Sequence, residues 1–404
     1  MRILFFLDSG FDNYGPSLHL YKALLEDLLK KGHVVHLLES VSTRKDPVIP
    51  SSIEDHPNFS YELIPIANPR KNQFAKRYMA GVQYCFRSIK YLKSCKGKYD
   101  VMHVQSCPWA PLAVGFAKRF VGVPTVFNIQ DMFPGSSIAS GIMPKKWMQK
   151  FFYWFQKKGY KKADVITVIS EDMKARVVAQ GVPAEKVNVI VNWYDDSFVH
   201  EIPWEENLFV KKYNMTRDKF YVQYAGTMGF VFDYKMVLEV ASRLKKYDDI
   251  VFQMIGFGSQ YDQFIAEAKE KGLDNIVFYP LEPQPMVPHV YSACSICFIP
   301  LKRDIIGNSV PSKAGLLMSC RRVIVNSVDE WSDYYKMFER EDIGLSASNL
   351  DPDAVTDCIL KLYYDRELIE HFANNAQPYG SKYYSRTVNT ALYEQLYKSM
   401  AKEA

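Results

Sequence analysis

The sequence predicts an α/β protein that consists of two doubly wound, parallel-sheet domains. Short apolar runs typical of buried strands alternate with longer stretches of helical periodicity along nearly the whole chain. This alternation is typical of parallel sheets that are covered by helices. The chain has 404 residues, more than a single hydrophobic core usually serves, and the alternation restarts after a polar, aperiodic stretch at residues 196–217. We therefore expect two such domains in tandem.

The predicted N-terminal domain comprises residues 1–195. Its first strand is expected at residues 2–8, and leucines at helical spacing predict a helix over residues 18–32 that ends at Gly32. The later strands are predicted at residues 33–40, 99–106, 124–130, 163–170 and 188–193. No cleavage-site pattern follows the first apolar run, so we interpret it as a strand and not as a signal peptide.

The predicted C-terminal domain comprises residues 196–380, and residues 381–404 predict one amphipathic helix with no strand after it. The strands of this domain are predicted at residues 220–226, 250–258, 275–281, 295–301 and 321–327. In open parallel sheets, ligands bind beyond the carboxyl ends of the strands, where the strand order reverses. The loops after the strands are therefore the candidate sites, and two such domains predict a cleft between them.

The composition argues against several classes of function. Hydrophobic residues make up 48% and charged residues 24% of the chain, as in soluble globular proteins, and no stretch of about twenty apolar residues predicts a membrane-spanning helix. The net charge of +5 is modest, and no nucleic-acid recognition motif is present. No metal-ligand spacing occurs, and the seven cysteines, including Cys294 and Cys297, are expected to be reduced thiols.

Two loops of the second domain predict an anion site. Gly226 and Gly229 follow a strand in "YAGTMGF", where their amides could cradle a phosphate, although such glycines are as often plain turn residues. Residues 308–312 precede an apolar helix that we expect to begin near Lys313 and to pack between the sheet and the cleft. The free amides, the helix dipole and the lysine favour a bound diphosphate over the alternative, a capped helix with a solvated lysine.

Three further loops follow predicted strands. In residues 279–283, "YPLEP", backbone groups could pair with the flat edge of a base, although a proline-rich turn explains the same pattern. Asp131 follows a central strand of the first domain, and its carboxylate could position a hydroxyl group or accept its proton. An N-cap or turn role is the alternative for Asp131. Gly15 and Pro16 open the first helix of the same domain.

Residues 143–163 combine lysines with aromatic residues and contain no acid. The lysines are Lys145, Lys146, Lys150, Lys157, Lys158, Lys161 and Lys162, and the aromatic residues include Trp147, Phe151, Phe152, Trp154 and Phe155. A helix with aromatic residues on one side and lysines on the other is typical of proteins that lie on an anionic membrane surface. Residues 68–98 add further basic and aromatic residues. The alternative is a helix whose aromatic residues are core and whose lysines are solvated.

Segments spread along nearly the whole chain resemble the GT-B glycosyltransferases of family 4. Within this family they are most similar to the branch around the L-fucosamine transferases of bacterial surface polysaccharide assembly. In chain order they are "GHVVHLL", "NIQDMFPGSSIASG", "ADVITVISEDM", "VIVNWYDD", "YAGTMG", "FQMIGFGSQ", "IVFYPLEP", "VPSKAGLLMSCRRVIV" and "YYSR". The resemblance implies a metal-independent, retaining transfer of a sugar from a nucleotide-sugar, which is a substrate and not a cofactor. UDP is the usual nucleotide. The C-terminal domain would hold the donor, and the N-terminal domain would hold the acceptor, commonly a polyprenyl-diphosphate sugar.

The resemblance also implies roles for individual residues. The donor-binding set is Gly226, Thr227, Gly229, Phe278, Pro280, Leu281, Arg303, Ser309, Val310, Ser312 and Lys313. The acceptor-binding set is Gly15, Pro16 and Asp131, and the catalytic candidates are Lys313 and Asp131. The sequence departs from the family at Asn308 and Leu316, which replace two usual glutamates, the second of which holds the donor ribose. Phe230 stands near a usual basic residue, for which Arg303 is the expected replacement.

The sequence therefore predicts a cytoplasmic enzyme at the inner face of the membrane that transfers a sugar to a lipid-linked or oligosaccharide acceptor in surface polysaccharide biosynthesis. The expected membrane-facing residues are Lys145, Lys146, Trp147, Lys150, Phe151 and Trp154. Two alternatives stay open. A nucleotide-sugar epimerase on the same scaffold would need acid–base side chains around the sugar and no acceptor. A non-catalytic partner subunit of a membrane glycosylation complex is favoured by the replaced glutamates.

Overall fold

The computed structural model of the chain describes residues 1–8, 10–11, 17–43, 48–67, 73–139 and 141–402. The chain divides into two compact units. Unit 1 comprises Met1–Asn192 and Thr387–Ala404, and unit 2 comprises Trp193–Arg386. Two of the predicted acceptor residues, Gly15 and Pro16, lie outside the described residues.

Unit 1 contains a parallel sheet. Its strands are β1 (Arg2–Leu7), β2 (Val34–Ser42), β3 (Phe59–Ile66), β4 (Val101–Gln105), β5 (Thr125–Ile129), β6 (Val165–Val168) and β7 (Val187–Val189). Its helices include α1 (Leu18–Lys30), α2 (Ser51–Glu54), α3 (Phe74–Arg87), α4 (Ile89–Ser94), α5 (Ala110–Phe116), α6 (Gly135–Ala139), α7 (Lys146–Lys162) and α8 (Glu171–Val178). The strand order is β3-β2-β1-β4-β5-β6-β7, and these neighbours pair in parallel.

Unit 2 contains a second parallel sheet. Its strands are β8 (Phe220–Ala225), β9 (Ile250–Ile255), β10 (Ile276–Tyr279), β11 (Ile296–Pro300), β12 (Ile324–Val328) and β13 (Gly344–Ser348). Its helices are α9 (Leu208–Lys212), α10 (Tyr234–Leu244), α11 (Tyr261–Glu270), α12 (Val287–Ser292), α13 (Ala314–Ser319), α14 (Asp333–Arg340), α15 (Pro352–Tyr364) and α16 (Arg366–Tyr384), before α17 (Arg386–Lys402). The strand order is β10-β9-β8-β11-β12-β13, with parallel pairing throughout.

The strand order reverses beside the first strand of each unit. The chain places β2 and β3 on one side of β1 and β4 on the other, and it places β9 and β10 on one side of β8 and β11 on the other. At such a reversal the two connections leave the sheet in opposite directions and open a crevice at the carboxyl ends of the strands. The predicted fold class, two doubly wound parallel sheets, is therefore confirmed. The loops after β1, β4, β8 and β11 border these crevices and are the candidate ligand sites.

Burial explains which strands the sequence predicted. Every residue of β4, β5, β8, β11 and β12 is buried, so these strands are covered on both faces and their sequences are mostly apolar, with a few buried polar residues such as His103, Asn128 and Gln223. Two edge strands, β3 and β13, were not predicted, because their polar and small residues at partly open positions interrupt the apolar run. All seven cysteines are free, and Cys294 Sγ lies 3.6 Å from Cys297 Sγ.

Residues 196–217, predicted to be an aperiodic linker, contain the short helix α9. Asn207 begins this helix because its side-chain oxygen accepts hydrogen bonds from the N–H groups of Phe209 at 2.9 Å and Val210 at 3.2 Å. Capping of this kind satisfies two amides that a helix leaves without partners. The capping asparagine was therefore the available sequence signal for α9, and a 3-10 turn at Trp204–Glu206 precedes it in the same segment.

The predicted single helix over residues 381–404 is wrong at its start. Residues up to Tyr384 belong to α16, and α17 begins at Arg386. In unit 1, α17 contacts the sheet: Asn128 Nδ2 donates to Tyr393 Oη at 2.7 Å, and Tyr397 Oη lies 2.8 Å from His103 Nδ1. Glu394 lies on the same helix, and its pKa is subject to two opposing effects. Burial raises this pKa, but hydrogen bonds to the carboxylate, above all the one that Lys31 donates, outweigh the effect of burial and lower the pKa to about 2.

Candidate functional site

Two glycine-containing loops of unit 2, after the adjacent strands β8 and β9, contact each other backbone to backbone. A Cβ atom at Gly256, after β9, would lie 2.1 Å from the carbonyl oxygen of Gly226, after β8. A Cβ atom at Gly258 would lie 2.3 Å from the carbonyl oxygen of Met228. Only residues without side chains allow this approach, and Gly226 (φ +145°) and Gly256 (φ +132°) also adopt backbone conformations that favour glycine. Gly256 and Gly258 were not predicted to have this role, although both belong to the short motif "GFG" directly after β9.

Main-chain hydrogen bonds decide which amides of the loop after β8 can bind a ligand. The N–H of Gly226 donates to Ile255 O at 2.8 Å, and the N–H of Met228 donates to Phe257 O at 2.8 Å. The predicted phosphate contact from the Gly226 amide is therefore wrong, because the fold already uses that donor. In the described part of the chain, the N–H groups of Thr227 and Gly229 have no acceptor. These two alternate amides are the ones available to an anion.

A glutamine and a lysine hold this loop in shape. The side-chain amide of Gln260 donates to the carbonyl oxygens of Gly229 and Phe232, the latter at 2.9 Å. Lys302 Nζ in turn donates to Gln260 Oε1 at 2.8 Å. Arg303, the predicted basic residue of the donor site, is exposed in the following turn. The lysine one position earlier is thus the residue tied to the loop, a difference that sequence spacing does not resolve.

Lys313 lies directly over the first glycine of the loop. Its Nζ is 1.7 Å from the point that a Cβ atom of Gly226 would occupy, so any side chain at residue 226 would displace the ammonium group. The same Nζ lies 4.3 Å from the centre of the Tyr224 ring, a cation–π distance. Burial lowers the pKa of Lys313 to about 8. The two features that the sequence singled out, the glycine loop and this lysine, are therefore adjacent.

The helix after Lys313 begins at Ala314, close to the predicted start, but it is short. It has six residues, less than two turns, so its dipole is a minor part of any anion site. Its packing differs from the prediction, because it contacts α16: a Cβ atom at Gly315 would lie 2.3 Å from Tyr384 Cβ, and one at Gly380 would lie 2.8 Å from Met318 Cβ. The small residues of this apolar helix therefore serve close helix–helix contact.

The other predicted donor residues divide into exposed and structural positions. The ring of half-buried Phe278 packs edge-on against Phe264, with 5.0 Å between centroids. Pro280, Leu281 and Ser312 are exposed, and Ser309, Val310 and Leu316 are half-buried. Asn308 is buried, and its Nδ2 donates to Asp304 O at 2.9 Å. In this structure the Asn308 side chain stabilises the turn that begins at Asp304.

Unit 1 has a cavity of about 390 Å³ at its own reversal point. The lining residues are Asp8, Arg77, Tyr78, Gly81, Pro108, Trp109, Asp131, Phe133, Ser137 and Ile142. Asp131, which the sequence analysis proposed, is exposed at this cavity. Asp8, directly after β1, was missed, because a single aspartate at the end of a strand carries no pattern that distinguishes it from a turn residue.

Each of the two interpretations of residues 143–163, a core helix and a membrane-facing helix, describes a different face of α7. Phe152 is buried against Trp109, with 5.6 Å between ring centroids, and is part of the core. Trp147, Phe151 and Trp154 are 67%, 42% and 56% exposed and recur at helical spacing, so they share one face. All the lysines named for this segment are exposed. No helix among the described residues has the length and apolar character needed to cross a bilayer.

Comparison with known proteins places both units in one group of enzymes. Residues 21–193 match the model of the glycosyl transferase 4-like domain, and residues 206–378 match the model of glycosyl transferases group 1. The chain belongs to glycosyltransferase family 4. The resemblance stated from the sequence motifs is confirmed at this level, and members of this family transfer sugars from nucleotide-sugars with retention.

Named relatives of this family 4 enzyme come from bacteria. It is 23% identical to the probable glycosyltransferase WbjE of Pseudomonas aeruginosa over 309 residues, which are 75% of this chain and 76% of that protein. It is 25% identical to the putative colanic acid biosynthesis glycosyl transferase WcaI of Escherichia coli over 199 residues, 48% of this chain and 49% of that one. The fold is similar to that of Anabaena HepE in complex with UDP, with a TM-score of 0.76 at 13% identity, over 99% of this chain and 100% of HepE.

Proposed function

We propose that this enzyme transfers a sugar from a UDP-sugar to a lipid-linked saccharide in surface polysaccharide biosynthesis, in the branch around the L-fucosamine transferases. The observation that carries the proposal is the position of Lys313, whose ammonium group lies over Gly226 at the reversal point of the unit 2 sheet. A cation beside available amides suits a diphosphate. The choice of UDP is supported by HepE, which binds UDP and UDP-glucose, and the pathway by the name of WcaI.

In the proposed reaction, the bond between the anomeric carbon and the diphosphate oxygen breaks while the acceptor oxygen bonds to the same face of that carbon. The proton of the acceptor hydroxyl passes to the leaving phosphate. Negative charge develops on the diphosphate, and Lys313 with the N–H groups of Thr227 and Gly229 would stabilise it where it develops. No enzyme nucleophile is required, so the two-carboxylate scheme of glycosidases does not apply.

The remaining contacts to the donor are proposed from the loops that surround Lys313 and from the turn after β10. Backbone groups near Phe278, Pro280 and Leu281 would meet the base, and Ser309, Val310 and Ser312 would line the approach to the diphosphate. Leu316 offers no hydrogen bond to a ribose, so we expect the donor nucleotide to be held mainly through its phosphates and base.

Binding of nucleotides to the whole protein tests the donor assignment. We expect UDP and UDP-glucose to raise the melting temperature in a thermal-shift panel, because a ligand that binds only the folded state stabilises it by mass action. GDP and ADP should give smaller shifts. No shift with any nucleoside diphosphate would favour the alternative of a non-catalytic partner subunit. Nucleotide release that does not depend on a lipid-linked acceptor would favour the epimerase.

The exposed face of α7 is proposed to contact an anionic membrane at the cytoplasmic side, where a lipid-linked acceptor would be presented. The proposal is supported by the exposed lysines that flank the exposed aromatic side chains of Trp147, Phe151 and Trp154 on this face. Lys145, Lys146 and Lys150 lie at the start of this face. Each lysine near such a surface contributes on the order of 1 kcal/mol.

Replacing Lys146 and Lys150 together by glutamine is expected to weaken binding to anionic vesicles about 30-fold, since the loss is about 2 kcal/mol. Co-sedimentation with phosphatidylglycerol-containing vesicles measures this change. The matched control replaces Lys269 and Lys361, exposed lysines of unit 2, by glutamine and should bind as the unmodified protein does. Equal losses in both double variants, or equal binding to purely zwitterionic vesicles, would contradict the assignment of this face.

A further inference from the structure

The turn after β10 is exposed and has no regular secondary structure. It contains Pro280 and Leu281, the exposed residues proposed above to meet the base of the donor. The N–H of Gly256 donates to Tyr279 O at 3.2 Å and so ties the start of the turn to the glycine loop after β9. Among the residues that the structure describes, no acceptor occurs for the N–H of Leu281. Such a turn keeps one shape only if neighbouring elements hold both of its ends.

A carboxylate anchors the far end of this turn. Glu282 Oε1 accepts hydrogen bonds from Tyr213 Oη at 2.6 Å and from Lys212 Nζ at 2.7 Å, and Glu282 Oε2 accepts from Lys212 Nζ at 2.9 Å. Only 5% of the Glu282 side chain is exposed, although its chain neighbours Leu281 and Pro283 are both exposed. The carboxylate is therefore directed toward α9 and away from solvent.

The anchor is charged near neutral pH. Burial raises the pKa of Glu282, but the hydrogen bonds from Lys212 and Tyr213 outweigh burial and lower this pKa below its usual value. The Lys212 side chain is about half exposed, so solvent screens its attraction to the carboxylate. The Tyr213 hydroxyl therefore supplies the better-shielded of the two contacts.

The same tyrosine also contacts the start of the turn. The ring of Tyr213, the residue directly after α9, lies edge to face with the ring of Tyr279, with 4.7 Å between centroids. Pairs with this geometry are favourable beyond the area that they bury. Because Tyr279 and Glu282 flank Pro280 and Leu281, one residue holds both ends of the exposed turn.

The helix that carries this anchor is itself fixed within unit 2. The side-chain amide of Asn207, the cap of α9, donates to His289 O at 2.8 Å, and the N–H of Leu208 donates to His289 Nδ1 at 3.1 Å. His289 lies on α12, and Phe209 on α9 is fully buried. The turn is thus tied to the core of unit 2 through α9.

We infer that Glu282 is a positioning residue for nucleotide recognition, which together with Tyr213 holds Pro280 and Leu281 in the backbone arrangement that pairs with uracil. This inference rests on the proposed function, which assigns the turn to the base. Backbone groups can select a base only when their spacing is fixed, and a contact that is already ordered costs less entropy on binding. Neither side chain has to touch the nucleotide for this role.

A second trio of the same residue types in unit 2 provides matched controls. Tyr234 Oη donates to Glu267 Oε1 at 2.9 Å, and Lys235 Nζ donates to Glu267 Oε2. Lys235 lies 5.1 Å from the centre of the Tyr234 ring, as Lys212 lies 5.2 Å from that of Tyr213. The control trio connects α10 to α11 and includes no residue of the turn.

Calorimetric titration of the whole protein with UDP and with inorganic pyrophosphate tests the inference, because pyrophosphate lacks the base. We expect Glu282→Gln to weaken UDP binding about tenfold and Tyr213→Phe, which keeps the ring, about threefold. Both variants should bind pyrophosphate as the unmodified protein does. The preference for UDP over GDP and ADP should shrink in Glu282→Gln, an effect that a merely structural role would not produce.

The control variants Glu267→Gln and Tyr234→Phe should bind both ligands as the unmodified protein does, with melting temperatures equal to those of the matching turn variants. Unchanged UDP affinity and selectivity in both turn variants would overturn the inference. Equal losses for UDP and pyrophosphate, or equal losses in the control variants, would also overturn it. In these cases the unmodified protein still binds and selects UDP. If the unmodified protein instead binds neither ligand, or binds UDP, GDP and ADP equally, the donor assignment fails and the inference fails with it.

Discussion

Lys313→Ala is expected to lower turnover at least tens of fold and up to about 10³-fold, because one donor to a developing oxyanion is typically worth 10²–10³ in rate. The melting temperature should stay equal or rise slightly, since burial lowers the pKa of the Lys313 ammonium group and its removal ends that desolvation. Steady-state kinetics with a UDP-sugar and a lipid-linked acceptor measure the effect. Lys269→Ala, an exposed lysine of the same unit, is the control. Turnover equal to that of the control would contradict the proposal that Lys313 stabilises the leaving diphosphate.

The pKa of the same lysine predicts a pH profile. Burial lowers the pKa of Lys313 to about 8 in the free protein, so its charge is present below this pH and is lost as the pH rises through it. Because kcat/KM reports groups of the free enzyme, kcat/KM for the donor should fall above about pH 8. A bound diphosphate stabilises the charged form, so the corresponding fall in kcat should occur at higher pH. An alkaline limb that persists unchanged in Lys313→Ala would show that another group causes it.

Gly258→Ala is expected to destabilise unit 2 by about 1–3 kcal/mol and to abolish the UDP shift, because the new methyl group would overlap the backbone of the adjacent loop. The Cβ atom would lie 2.3 Å from the carbonyl oxygen and 2.4 Å from the carbonyl carbon of Met228, and backbone atoms cannot move aside as a flexible side chain can. Thermal unfolding with and without UDP measures both effects.

Gly229→Ala is the matched control for the fold. Its Cβ would meet only Thr227 Cγ2, at the ordinary contact distance of 3.5 Å, so its stability should equal that of the unmodified protein. A reduced UDP shift in this stable variant would indicate that the diphosphate approaches the backbone at residue 229. Unchanged stability and UDP binding in Gly258→Ala would mean that the contact between the two glycine loops is not required for the site.

Local pattern alone determined the two parallel sheets, because the burial of a strand on both faces is recorded in its own residues. The apolar runs that became β4, β5, β8, β11 and β12 are examples, and the edge strands β3 and β13 escaped prediction because they are only partly buried. The sequence likewise singled out Lys313 and the glycine loop after β8, since each carries a chemical signal of its own.

Only the tertiary structure decided which of these groups meet and which remain available to a ligand. The strand order brings Asp8 and Trp109 together beside Gly81, positions that no spacing relates. It also assigns the Gly226 amide to Ile255 and ties Lys302, not Arg303, to the loop through Gln260. The physical reason is that hydrogen-bond partners and cavities are set by contacts between segments far apart in the chain, whereas periodicity records only the environment of each segment by itself.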